Sequence, residues 1–284
     1  MSNHLKFSKK LMVIRLLVEG NSIRSIERAT GVNRNTIMSL LVRVGEYCQQ
    51  LLDDLIQNVD SDSIQVDEIW TFLVKKQRRV TDVDRALRLD YGDQYVFVSL
   101  DADTKLAINH LVGKRTKESA VAFIHDLGSR LQDDCRAHIT SDGFEPYVDA
   151  VESEFGDDVD YAMLIKDYAS EAAGRGRYSP PKVSGTTKIP VKGEPREGDI
   201  GTSYVERQNL TMRMSMRRFT RLTNGFSKKH RNLKAAVALH FAYYNFVRVH
   251  QSLQVTPAMA AGITDHIWGI ENLLAEEAPI KMAA

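Results

Sequence analysis

The first sixty residues repeat apolar positions with the period of an α-helix. The repeats start at about Leu11, Ile23 and Asn33, and the third continues to about Ile56. Asn33 is a residue type that caps the start of a helix, and Gly31 is one that ends a helix. The pattern therefore predicts three helices, with a short turn between the second and the third.

From Ser63 the pattern changes to the alternation of β-strands, rich in β-branched and aromatic residues. Strands are predicted over 63–74, 94–113 (a hairpin turning at 101–104), 135–140 and 161–168. Helices are predicted over 116–131, 145–155, 203–218 and 228–248. The charged segment 75–93 lacks apolar periodicity and predicts a loop or a solvent-facing hairpin extension. The segment from about 169 to 202 is rich in proline and glycine and predicts a long loop.

This order of elements predicts an α/β protein: a mixed sheet with flanking helices, preceded by an all-α part. We expect three regions, namely a helix-turn-helix domain with a linker helix over 1–60, the α/β core over 61–255 and a C-terminal helical tail over 256–284. A length of 284 residues suits two domains of ordinary size.

The composition is that of a folded protein, with 43% hydrophobic and 26% charged residues. No apolar run has the length of a membrane span, and the N-terminal apolar stretch is too short for a signal peptide. We therefore expect a cytoplasmic protein with no membrane partner. Cys48 and Cys135 are too few for a disulfide framework or a cysteine zinc site, and no histidine pair has the spacing of a zinc hydrolase.

Charge is unevenly distributed, although the net charge is only +1. Between Glu206 and His250 there are ten basic residues and Glu206 alone is acidic, a local net charge of +9. A segment this basic in a nearly neutral chain favours a polyanionic partner such as DNA, although a solvated helix face is the common alternative.

The second and third predicted helices form a helix-turn-helix arrangement. In that motif the first residues of the second helix face base edges and phosphates. The candidate DNA-contacting residues there are Arg34, Asn35, Thr36 and Arg43. Helical hairpins that do not bind DNA have the same pattern, so this segment alone leaves DNA binding open.

Three acidic residues stand where the local pattern does not require them. Asp67 interrupts an apolar strand, Asp142 follows a strand in a turn that opens a helix, and Glu206 lies on a basic helix. A carboxylate inside a strand is costly unless it is paired or bound to a metal, and Mg²⁺ or Mn²⁺ relieves repulsion between carboxylates. Taken singly, each could instead be a helix cap or an ion-pair partner. Glu68 should point to the opposite face of the strand from Asp67, so it is not expected to be a ligand.

The segments VDEIW, TSDGFEPY and YVERQNLTMR resemble the three acidic blocks of DDE transposases of bacterial insertion sequences, most closely the insertion-sequence-one type. The resemblance covers about Val66 to Leu253 and implies a ribonuclease H-like core. It makes Asp67, Asp142 and Glu206 the catalytic residues, holding two Mg²⁺ (or Mn²⁺) ions. Arg213 matches a basic residue that these enzymes place after the last acid. Further DNA contacts are expected at Arg207, Arg217 and Arg218.

The resemblance implies a Mg²⁺-dependent transposase that binds the ends of a mobile element, frees a 3′-OH by hydrolysis and transfers it to target DNA. Its partner would be double-stranded DNA in a bacterial nucleoid, bound by a homodimer or a larger assembly. Two alternatives remain open from the residues: a helix-turn-helix regulator with an inactive core, and a nuclease of the same fold that cuts without joining.

Overall fold

The N-terminal part consists of three helices, as predicted. The computed structural model describes residues 5–133, 135–168 and 183–274. The three helices are α1 (Phe7–Val18), α2 (Ile23–Thr30) and α3 (Arg34–Leu55). Ser22 and Asn33 cap α2 and α3, because each side chain accepts a hydrogen bond from a backbone N–H in the first turn. Gly31, at φ 70°, adopts the left-handed conformation that ends α2 and turns the chain into α3.

A six-stranded mixed sheet follows. Its strands are β1 (Ser63–Leu73), β2 (Gly92–Asp101), β3 (Ala107–Gly113), β4 (His138–Ser141), β5 (Asp160–Tyr168) and β6 (Val183–Lys192), in the order β3-β2-β1-β4-β5-β6. β1 pairs with β4 and β4 with β5 in parallel, and the other pairs are antiparallel. The sheet is therefore mixed, as predicted.

Two expectations for the connecting segments are wrong. Residues 75–93 contain a short helix, α4 (Asp82–Leu87), which begins at a capping box formed by Thr81 and Asp84. No α4 residue is buried, so the sequence shows no apolar periodicity there. The segment expected to be a loop over about 169–202 contains the edge strand β6, whose residues are mostly exposed. Pro190 is tolerated in β6 because an edge strand needs hydrogen bonds on one side only. Residues 169–182 lie outside the described part of the chain.

Helices cover both faces of the sheet. They are α5 (Lys117–Gly128), α6 (Pro146–Phe155), α7 (Ser203–Ser215), α8 (His230–Ala242) and the short α9 (Pro257–Ala260). The ring of Phe97 on β2 contacts Phe123 of α5 and Tyr147 of α6, which places both helices on one face. α7 and α8 pack on the other face. Within the residues described, none of these helices is both long and apolar enough to pass through a bilayer.

The N-terminal helices pack directly on the core. A Cβ atom at Gly45 of α3 would lie 2.2 Å from the carbonyl oxygen of Ala235 on α8, so the two backbones are in contact there. The Arg130 guanidinium, after α5, donates hydrogen bonds to the carbonyl oxygens of Leu52 and Ile56 near the end of α3. The domain boundary near residue 60 remains a prediction, and buried contacts cross it.

Gly45→Ala should destabilise the protein, because α3 must move away from the Ala235 backbone to accommodate the methyl group. We expect a loss of about 1–3 kcal/mol, against the gain of about 1 kcal/mol that alanine normally brings to a helix interior. Urea unfolding measures the change. Gly198→Ala is the matched control, since a Cβ atom there meets nothing within 4 Å. An unchanged or higher urea midpoint for Gly45→Ala would contradict the close approach of α3 and α8.

Candidate active site

A cleft opens in the sheet where β4 ends. β1 and β4 pair only as far as Gln65 and Thr140, whereas β1 and β5 both continue beyond that point. The resulting gap has a volume of about 360 Å³. Asp67, Asp142 and Glu206, which come from β1, the turn after β4 and α7, all line it. The structure therefore brings the three predicted carboxylates to one place.

The Asp67 carboxyl group is held by two neighbouring residues. Its Oδ1 accepts from the Glu68 backbone N–H at 2.8 Å, and its Oδ2 accepts from Nδ2 of Asn209 on α7 at 2.8 Å. Burial, followed by the nearby charges of Asp142 and Glu68, raises the pKa of Asp67 to about 7. Two hydrogen bonds thus fix a carboxyl group whose ionisation is unfavourable in the metal-free protein.

Glu68, which strand alternation predicts to lie outside the site, belongs to the same group of carboxylates. Alternation does hold at the backbone, since Asp67 contacts α7 while Glu68 contacts Arg115, just before α5. However, β4 does not extend this far along β1. The edge of β1 is therefore open here, and both side chains can reach it. One carboxylate oxygen each from Asp67, Glu68 and Asp142 lie within 4.8 Å of one another.

Arg115 forms ion pairs with two of these carboxylates. Its Nε lies 3.0 Å from Glu68 Oε2, and its Nη2 lies 3.5 Å from Asp142 Oδ2. The guanidinium also lies over the ring of Phe144, 3.9 Å from the ring centre. Asp142 is fixed in turn by its Oδ1, which accepts from the Phe144 N–H at 2.9 Å. Burial and the charge of Asp142 raise the pKa of Glu68, while Arg115 opposes this change.

Glu206 lines the cleft but lies outside this group of three. It occupies the first turn of α7, where Thr202 Oγ1 donates to its Oε1 at 2.5 Å. Lys166 of β5 forms an ion pair with the same oxygen. The start of α7 is held by Gln65 of β1, whose Oε1 accepts from the N–H groups of Tyr204 and Val205 at 2.9 and 3.2 Å.

The donor set of the cleft suits a divalent cation. Carboxylate oxygens are the ligands that Mg²⁺ and Mn²⁺ prefer in proteins. Glu68 Oε1 is buried and has no hydrogen-bond partner in the described residues, so the site has an oxygen available for a ligand.

The predicted basic residues of α7 and the following turn differ in position. Arg213 is half-buried; burial lowers its pKa, and the charge of Asp67 opposes this change. Arg207 and Arg217 are exposed. Arg218 instead donates to Ser227 Oγ at 2.9 Å, and burial lowers its pKa to about 10. Arg218 is therefore directed into the protein.

The predicted DNA-contacting residues of α3 lie on its surface. They are Arg34, Asn35, Thr36 and Arg43, all exposed. The carboxylate of Glu27 on α2 accepts a hydrogen bond from the Arg34 backbone N–H at 2.9 Å, which joins the two helices at the turn. The four side chains thus occupy an accessible surface at the start and middle of α3.

Sequence reasoning missed four residues that organise the cleft, namely Gln65, Arg115, Lys166 and Asn209. Gln65 and Lys166 are polar residues inside predicted apolar strands, and this departure from the pattern could have identified them. Asn209 stands one helical turn after Glu206, and this spacing places both on one side of α7. No local pattern marks Arg115, because its partners are distant in sequence.

No protein-family model and no curated protein matches the chain. Among solved structures, it is similar to a piggyBac transposase synaptic complex with hairpin DNA at 12% identity and a TM-score of 0.44, covering 95% of this chain and 70% of that one. It is also similar to the Mos1 strand transfer complex at 15% identity and a TM-score of 0.22, covering 54% and 58%.

Asp67→Asn should raise the melting temperature of the metal-free protein at pH 8. The native carboxyl group, with a pKa of about 7, is then ionised in a buried position, and the amide removes that cost. Asn209 can turn its amide so that its unpartnered Oδ1 accepts from the new amide group. Each kcal/mol recovered raises the melting temperature by about 2–4 °C in a chain of this size.

The difference should shrink as the pH falls below about 7, because native Asp67 is then protonated in the folded protein. Thermal unfolding followed by circular dichroism in a chelator provides the measurement. The control is Asp149→Asn, which removes a solvent-exposed carboxylate paired with Lys117. If Asp67→Asn melts at or below the native temperature at pH 8, ionised Asp67 does not destabilise the folded protein.

Proposed function

We propose that this protein is a DNA transposase that frees a 3′-OH at the end of a mobile element and transfers it to target DNA. The observation that carries the proposal is the convergence of Asp67, Asp142 and Glu206 on one cleft at the open edge of β1. These residues come from three separate elements, and their order matches the acidic blocks of DDE transposases. Repulsion between neighbouring carboxylates disfavours such a convergence when no cation is bound.

In this proposal Asp67, Asp142 and Glu206 hold two Mg²⁺ or Mn²⁺ ions. Such ions activate an attacking oxygen and stabilise the leaving oxygen at phosphorus. In the first reaction the oxygen of water attacks phosphorus and the bond to the 3′ oxygen breaks. In the second, the freed 3′-OH attacks a phosphate of the target, and one phosphodiester bond replaces another. The chain itself orients Asp67 through Asn209 and Glu206 through Thr202.

The basic surface supplies the DNA contacts of the proposal. Arg213, on which the charge of Asp67 acts, would hold a phosphate beside the carboxylates, while Arg207 and Arg217 would bind the DNA backbone outside the cleft. Arg218 would act through the turn that it fixes with Ser227. The exposed side chains of α3 would bind the element's ends. Because joining requires two ends together, we propose a homodimer or a larger assembly on DNA.

Strand cleavage and joining test the function. The substrate is labelled DNA from both flanks of the chain's own coding sequence, incubated with Mg²⁺. Glu206→Gln keeps the shape of the side chain and removes its charge. Product should therefore fall by more than about 100-fold, beyond the loss typical of a residue that only supports a metal ligand. Glu197→Gln, which neutralises an exposed glutamate outside the cleft lining, is the control and should react like the native protein.

Each result has a distinct meaning. Joined molecules from the native protein and none from Glu206→Gln support transposition. Cleavage without joining would assign a nuclease of the same fold. Specific binding with no product from the native protein would assign a helix-turn-helix regulator with an inactive core. Equal product from Glu206→Gln and the native protein would remove Glu206 from the chemistry.

Arg34→Ala should weaken binding to the end fragment by about 1–3 kcal/mol and reduce the preference for it over unrelated DNA. The reason is that Arg34 is exposed at the start of α3, where this motif contacts base edges. Fluorescence anisotropy against both DNAs at one salt concentration gives the ratio. Gln50→Ala, an exposed position late in the same helix, is the control. If the preference is unaltered in Arg34→Ala, Arg34 does not read the DNA sequence.

A further inference from the structure

Glu68 has one carboxylate oxygen that its protein neighbours leave without a partner. Its side chain is only 3% exposed, and its Oε2 accepts from Arg115 Nε at 3.0 Å. Its Oε1 is buried with no hydrogen-bond donor in the described residues. A buried carboxylate oxygen without a donor is costly, so a cation that contacts this atom would stabilise the protein.

The direction in which the Glu68 side chain extends indicates where that partner binds. One oxygen from each of Glu68, Asp67 and Asp142 lie within 4.8 Å of one another. Ligand oxygens of a single cation are mutual neighbours in this way.

The charges near Glu68 match a cation of charge two. Three carboxylates carry three negative charges, and Arg115 returns one positive charge. Arg115 contacts Glu68 closely but reaches Asp142 only at 3.5 Å, so it does not satisfy the whole group. A divalent cation would neutralise what remains while Arg115 keeps its place on Oε2.

We propose that Glu68 is a third carboxylate ligand of the divalent cation held by Asp67 and Asp142, with Oε1 facing the cation and Oε2 held by Arg115. Arg115 is then a positioning residue that orients Glu68. This assignment rests on the metal site of the proposed function and adds a ligand to it. It concerns cation binding and does not depend on whether the protein joins DNA.

Mn²⁺ binding to the metal-free, full-length protein tests the assignment, with free Mn²⁺ measured by electron paramagnetic resonance. Glu68→Gln should weaken binding by more than about 100-fold, beyond the loss typical of a residue that only supports a metal ligand. Glu68→Asp keeps the charge but withdraws the carboxylate by one methylene group, so it should also weaken binding. Glu46→Gln breaks another Glu–Arg pair, with Arg231, away from the cleft and should bind Mn²⁺ like the native protein.

A crystal structure of the native protein with Mn²⁺ gives a direct second measurement that needs no variant. An ion bonded to Glu68 Oε1 supports the assignment, whereas an ion bonded to Asp67 and Asp142 without Glu68 overturns it. Native affinity in both Glu68 variants also overturns it and leaves the proposed transposition standing. No Mn²⁺ uptake by the native protein would overturn both. Glu68-dependent uptake without any DNA cleavage or joining would support this assignment and overturn the proposed function.

Discussion

The constraint on which the rest of the site depends is the concentration of negative charge at the open edge of β1. Asp67 and Glu68 are consecutive in β1, and Asp142 joins them from the turn after β4. Carboxylates this close repel one another more strongly as water is removed. Neighbouring groups partly compensate this charge. Arg115 pairs with Glu68 and reaches Asp142, while Asn209 donates a hydrogen bond to Asp67.

The cleft exists because the strands of the sheet differ in length. β4 has four residues, whereas its neighbours β1 and β5 have eleven and nine. Beyond the end of β4, no strand lies between β1 and β5. Side chains of β1, β5 and α7 line the resulting gap. Gln65 attaches the start of α7 to β1 just before the gap, so Glu206 is placed by the same strand that carries Asp67.

The sequence predicted those parts of the fold in which buried apolar positions recur at regular intervals along the chain. The strands β1, β2 and β3 and the helices α3 and α5 each have a buried face and were predicted close to their observed bounds. α4 and β6 are exposed, so no period marks them. The three carboxylates could be named from their type and order, but Glu68 could not, because its place depends on where β4 ends. Arg115 and Lys166 were missed because their acidic partners are brought near only by the fold.

The packing of α3 links the surface that would bind DNA to the cleft that would cut it. One continuous helix, α3, connects its exposed first residues to two buried contacts. The first contact is at Gly45, which touches the α8 backbone. The second is near the end of α3, where Arg130 donates to a backbone carbonyl group. α8 packs on the sheet face that also carries α7 and therefore Glu206. DNA bound at α3 would thus be positioned relative to the carboxylates by buried helix contacts, which is the requirement for cutting at a fixed distance from a recognised sequence.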